Sequence, residues 1–147
     1  MDKPGNVLMV CLGNICRSPL AEGVFKNMSS DLNVKVDSAG TSNYHINFCP
    51  DKRSIKIAQM NGIDIRFQKA RQLKIEDFTN FDYIFAMDRQ NLIDIRQIIN
   101  ENKTNCKIQL LNDPFEIEDP YYGDDKDFEL VYDQIYKGCK RVIDNWK

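Results

Sequence analysis

The residues of this chain whose types and spacing suit chemistry are a cysteine at position 11, an arginine at 17 and a serine at 18. Leu12, Gly13, Asn14, Ile15 and Cys16 lie between the first two, a span short enough to curl its backbone amides inward around a tetrahedral dianion. Ser18-Pro19 reads as a helix start, with a serine cap and a proline at the first helical position, and a helix N-terminus adds a field that favours anions. Gly13 and Asn14 are the types that tolerate the positive φ such a curl demands. The same amides favour the thiolate of Cys11, the form that attacks. Arg17, planar and always charged, can hold two phosphate oxygens and follow them into a transition state. The Ser18 hydroxyl can donate to the Cys11 sulfur and keep it a good leaving group. Taken without context, the same residues also describe a cysteine that ends a core strand and an arginine in a surface ion pair. None of the other four cysteines has an arginine six residues on, and no Gly-Lys-Ser/Thr nucleotide loop occurs.

The elements that must hold these residues follow from the apolar pattern. Asn6 to Cys11 is a continuous apolar run after its first residue, as expected of a strand buried on both faces. A helix should start at Ser18 and carry Leu20, Ala21, Val24, Phe25 and Met28 inward. Val34–Val36 reads as a second strand closed by Asp37-Ser-Ala-Gly40. Pro50 should open a helix stopped by Gly62, and Ile75–Phe78 a helical turn. Tyr83–Met87 and Lys107–Leu111 are the third and fourth strands, separated by a helix capped by Asp88. Asn112 to Asp125 is an irregular acidic segment, before a final helix whose stripe runs from Phe128 to Trp146. Strands alternating with helices predict one α/β domain spanning 1–147, a single three-layer unit with a parallel sheet covered on both faces and the phosphate-binding loop after its first strand.

Composition narrows the function. The 147 residues hold 20 Lys and Arg against 22 Asp and Glu, a net charge of −2 that speaks against a nucleic-acid binder with a broad basic face. The longest apolar run is too short to span a membrane, and no secretory leader precedes it. Five cysteines, an odd count, argue against a disulfide framework and for the cytoplasm. One histidine, His45, leaves little scope for a histidine-based metal centre.

The chain resembles the low-molecular-weight protein tyrosine phosphatases. Val7-Leu-Met-Val-Cys-Leu-Gly-Asn-Ile-Cys-Arg-Ser-Pro-Leu-Ala-Glu22 is similar to the opening signature of that family. Asp37-Ser-Ala-Gly-Thr41, Pro50-Asp-Lys-Arg53, Ala70-Arg-Gln72, Ala86-Met-Asp88 and Asp119-Pro-Tyr-Tyr-Gly123 follow in the family's order. The resemblance implies a four-stranded parallel sheet, hydrolysis of phosphotyrosine in proteins and of small aryl phosphates through a cysteinyl-phosphate intermediate, and no cofactor or metal. Inorganic phosphate would be the product and an inhibitor. Partners would be phosphotyrosine proteins, with neither nucleic acid nor membrane, and the protein a monomer or weak dimer.

The leaving phenolate needs a proton donor. Asp113 and Asp119 both precede proline on the acidic segment, and sequence alone barely separates them. Asp119 is followed by Tyr121 and Tyr122, whose rings could line a slot for an aromatic substrate, and the resemblance also points to Asp119 as general acid and then base. It further implies Leu12 and Tyr44 as substrate walls, Asn14 as support of the loop's turn with Ser38 as its partner, and Cys16 as a redox partner of Cys11. Family members often carry a histidine where Gln68 stands, so the support of Asn14 must be built differently. Asn47-Phe48-Cys49 replaces a glycine-containing stretch and could reshape one rim of the pocket. Cys49, Cys106 and Cys139 are expected to be packing residues. A zinc set of Cys11, Cys16, His45 and Cys49 lacks standard spacing. An arsenate reductase would need relay cysteines, and residues 50–105 hold none. A phosphotyrosine-binding module would need neither Cys11 nor Asp119.

Overall fold

A computed structural model describes residues 2–100 and 102–147. In chain order the elements are β1 (Val7–Cys11), α1 (Arg17–Met28), β2 (Val36–Gly40), α2 (Lys52–Met60), α3 (Asp77–Asn80), β3 (Tyr83–Ala86), α4 (Arg89–Ile99), β4 (Lys107–Leu110) and α5 (Asp125–Trp146). The sheet has four strands in the order β2-β1-β3-β4, all parallel.

β1 is apolar throughout because each face of the sheet has its own core. Val7, Met9 and Cys11 join the side chains of α1, α2 and α5, including Phe25, Ile57, Ile135 and Trp146. Leu8 and Val10 join the opposite cluster, with Phe78, Ile95 and Ile99 of α3 and α4. Both layers thus lie over the central strands, and the strand order reverses between β1 and β3. At such a reversal the loops leaving the carboxyl ends diverge and open a crevice, and the segment after Cys11 lies there.

β3 and β4 each end one residue before the sequence reading, at Ala86 and Leu110, the helical turn near Ile75 is Asp77–Asn80, and three further departures bear on the site. β2 is not Val34–Val36 but Val36–Gly40, paired residue for residue with β1 from Val7↔Val36 to Cys11↔Gly40. Asp37-Ser-Ala-Gly is turn-like locally, and pairing with a buried neighbour overrides that preference. Ser18 does not cap α1: the cap position is Cys16, without a side-chain bond, because the Ser18 hydroxyl is committed elsewhere. Pro50 stands outside α2, whose cap is Asp51, accepting from Arg53 N at 2.8 Å.

Candidate active site

The segment between β1 and α1 is held open by its neighbours' lack of side chain as much as by its own sequence. Its left-handed residue is Asn14 (φ +58°), not Gly13. The missing side chain of Gly13 serves another purpose: a Cβ there would lie 2.9 Å from Cδ2 of His45, whose ring packs against the loop. Gly40, at the end of β2, is equally constrained, since a Cβ would meet Leu12 O at 2.8 Å and Asn14 N at 3.1 Å. Beyond the sheet, Thr41 N and Ser42 N continue the pairing onto Cys11 O and Leu12 O, both at 2.9 Å.

Asn14 organises the loop from beneath. Its Oδ1 accepts from Arg71 N (3.0 Å), and its Nδ2 donates to Ser38 Oγ (3.0 Å) and Ser18 Oγ (2.8 Å). Ser38 Oγ in turn donates to Glu22 Oε1 at 2.6 Å, and Glu22 Oε2 takes the Lys26 ammonium at 2.6 Å. A carboxylate only accepts, so the directions along this chain are fixed. Ser18 receives the Asn14 proton, and its own proton is left for Cys11 Sγ, 3.0 Å away. Ser18, Asn14, Ser38 and Glu22 are all buried, where such a network is stiff and its donors have no water to turn to. Gln68 is not part of it. Its Nε2 donates to Pro19 O at 3.0 Å, and the backbone of Arg71 holds Asn14 instead.

Arg17 is 2% exposed. Its Nη1 donates to Asp88 Oδ2 (2.6 Å) and Ile117 O (2.8 Å), and Nη2 stands 3.8 Å from Asp119 Oδ2. Burial alone would lower the Arg17 pKa, but the negative charges of Cys11, Asp88 and Asp119 outweigh it and leave the pKa above the usual arginine value. The guanidinium is therefore a fixed cation beside the sulfur.

One pocket gathers these groups. Its floor is Cys11, Gly13, Ile15, Cys16 and Arg17, and its walls are Leu12, Tyr44, His45, Asp119, Tyr121 and Tyr122. Asp119 Oδ1 accepts from Tyr121 N at 3.1 Å, and the two tyrosine rings meet edge to face at 4.9 Å. Asp113 lies elsewhere, in the groove between β4 and α5 beside Trp146, with its carbonyl taken by Arg141. The chemistry open to this pocket is capture of a tetrahedral dianion by amides and guanidinium, attack by sulfur, and proton transfer by a half-exposed carboxyl group.

Cys16 is buried under the loop, and burial first, then the charges of Asp51 and Cys11, push its thiol pKa well up. Cys106 and Cys139 are buried, as expected of packing residues, but Cys49 is exposed. It follows a turn in which Asn47 takes φ +70° and Phe48 N donates to His45 O, with the Phe48 and His45 ring centroids 5.3 Å apart. Among the described residues no three His, Cys, Asp or Glu side chains gather to hold a metal ion, the cysteine–histidine set included.

Sequence reasoning missed four residues here. Asp88 is legible in sequence as a helix cap and as part of Ala86-Met-Asp88, but not as the anchor of Arg17, for which its place at the carboxyl end of a central strand is the available signal. Glu22 sits one helical turn from Ser18, a spacing that puts both on one face. His45, considered in sequence as a metal ligand, forms part of the pocket wall. Arg71 acts through its backbone N–H, for which side-chain identity carries no signal.

The chain is similar to known proteins over nearly its whole length. The family model described as low molecular weight phosphotyrosine protein phosphatase matches residues 6–147. The protein of that name from Rattus norvegicus is 47% identical over 150 residues, covering 95% of this chain and 94% of its own. A crystal structure of a protein tyrosine phosphatase from Entamoeba histolytica superposes with a TM-score of 0.87 at 37% identity, over 95% of both chains. A Drosophila arginine phosphatase superposes with a TM-score of 0.90 at 33% identity, over 96% of this chain and 97% of its own.

Proposed function

The chain belongs to the low molecular weight phosphotyrosine protein phosphatase family, and from that premise we propose that Cys11, Arg17 and Asp119 are the residues with which it works. The enzyme is a protein tyrosine phosphatase, a hydrolase whose family uses a catalytic cysteine. The observation that carries the assignment is the convergence of the three side chains on one pocket, with Ser18 Oγ 3.0 Å from the sulfur.

The Cys11 thiolate attacks phosphorus, forming the S–P bond as the P–O bond to the tyrosine breaks. Asp119, as the carboxylic acid, gives its proton to the departing phenolate oxygen. A water then attacks the cysteinyl phosphate while the Asp119 carboxylate takes its proton, and the S–P bond breaks to return the thiolate and release phosphate. Arg17 and the loop amides hold the phosphoryl oxygens through both steps, and Ser18 donates to the sulfur as it leaves. Leu12, Tyr44, Tyr121 and Tyr122 form the walls against the tyrosine ring. Inorganic phosphate competes for the same loop. Five unpaired cysteines fit a reducing compartment such as the cytoplasm. Cys16, beneath the nucleophile, is suited to close a protective disulfide with it under oxidant.

Turnover of a phosphotyrosine peptide, with EDTA present, tests the assignment in Cys11→Ser, Arg17→Lys, Asp119→Asn and Asp113→Asn variants. Cys11→Ser should be inactive, Asp119→Asn slower by about a hundredfold, and Asp113→Asn equal to the parent. Activity in Cys11→Ser, or a larger loss at Asp113 than at Asp119, would overturn it.

A further inference from the structure

The nucleophile and the proposed acid come from segments a hundred residues apart, and the first turn of α2 touches both. On one side, Asp51 N donates to Ile15 O at 2.7 Å and Ser54 Oγ to Cys16 O at 3.1 Å, so the turn is tied to the phosphate loop. On the other side it reaches the acid loop through the side chain of Arg53. Nη2 of Arg53 donates to Tyr121 O (2.9 Å) and Nη1 to Gly123 O (3.1 Å). Asp51 fixes the guanidinium from behind, accepting from Nε at 3.0 Å and from Nη2 at 2.9 Å. The plane is further held over the Phe128 ring, with Cζ 4.4 Å from its centroid.

Tyr121 is the residue whose N–H orients Asp119, through the 3.1 Å bond to Oδ1. Its carbonyl is the one Arg53 holds. Gly123 N closes onto Pro120 O at 2.8 Å, so the two carbonyls taken by Arg53 belong to the turn that directly follows the acid. We infer that Arg53 is a positioning residue for proton transfer: it fixes the distance between Asp119 and the sulfur by bracing the acid loop against α2, without itself touching substrate. The inference rests on Asp119 being the acid. It requires the forked, planar guanidinium, because four bonds in four directions from one rigid head are beyond an ammonium.

A residue that positions an acid affects poor leaving groups more than good ones, since an activated phenolate departs without its proton. The test compares kcat/KM for phenyl phosphate and 2,4-dinitrophenyl phosphate, together with the inhibition constant of inorganic phosphate, in the parent, Asp119→Asn, Arg53→Ala and Arg53→Lys. Both Arg53 variants are expected to lose about tenfold or more on phenyl phosphate, to change little on the dinitrophenyl ester, and to bind phosphate as the parent does. Arg53→Lys keeps the aliphatic stem over Phe128 and serves if the alanine variant does not fold. Equal losses on both esters, weaker phosphate binding, or full rescue by lysine would overturn the inference. If Asp119→Asn itself fails to discriminate between the esters, the fault lies instead with the assignment of the acid.

Discussion

Asp88 divides its carboxylate between two duties, with Oδ1 accepting from Asn91 N at the start of α4 and Oδ2 taking Arg17 Nη1 at 2.6 Å. The phosphate-binding cation is thereby bolted to a helix on the opposite face of the sheet. Arg17 has only 3% of its side chain exposed, so losing the partner leaves a buried charge with little water to compensate.

Asp88→Ala is expected to lower stability by about 3 kcal/mol or more, combining the unpaired cation with a lost cap. Asp88→Asn keeps an oxygen for the Asn91 amide but removes the charge facing Arg17, so it should lose activity with a smaller change in stability. Urea denaturation beside steady-state kinetics separates the two. An asparagine variant as active as the parent would show that Arg17 does not need this anchor.

The chain Glu22–Ser38–Asn14–Ser18 ends on the nucleophile, and its direction is set by the carboxylate at its far end. Glu22→Gln and Ser18→Ala should each lower kcat by about tenfold, of the order expected for one hydrogen bond to a charged group. In the double variant the second change should add almost nothing, because both act through the same proton. Lys26→Ala strips the ammonium from a carboxylate whose side chain is only 5% exposed, so it should lower stability and shift activity in the same direction as Glu22→Gln. Additive losses in the cycle would refute a shared path.

Cys16 carries a thiol whose pKa lies well above the usual cysteine value, raised mainly by burial. A raised pKa leaves the neutral thiol in place through neutral pH, and the thiolate appears only as pH climbs toward that value. Iodoacetamide at pH 7 is therefore expected to label Cys11 and the exposed Cys49 but not Cys16. After peroxide treatment, disulfide closure should quicken as pH rises, read by mass spectrometry of the Cys11–Cys16 peptide. In Cys16→Ser the first loss of activity should proceed at the parent's rate, while the fraction recovered with a thiol reductant should fall faster than in the parent as peroxide exposure lengthens and the unguarded sulfenic acid is oxidised further. Rapid labelling of Cys16 at neutral pH would contradict this.

What could be read from sequence was what lies close along the chain. Cys11, Arg17 and Ser18 fall within eight consecutive residues, flanked by a strand and a helix whose apolar spacing is clear. The parallel sheet, and its covering on both faces, followed from the alternation of strands and helices, while the strand order came only with the structure. Contacts across long separations were not legible: the Arg71 amide on Asn14, the second duty of Asp88, and the choice between Asp113 and Asp119 each depend on how the sheet brings distant loops together. The end of β2 was misplaced for the same reason, since only its pairing with β1 makes Asp37-Ser-Ala-Gly a strand.

The two cores on either side of β1 give the nucleophile a parity. Odd-numbered residues of that strand face α1 and α5, even-numbered ones face α3 and α4, and Cys11 closes the odd series. Adding or removing one residue in the strand would turn the sulfur toward the wrong layer, because a single step reverses every side chain. The pocket is thus indexed by counting from the strand's first residue, and its chemistry depends on whether that count is odd or even.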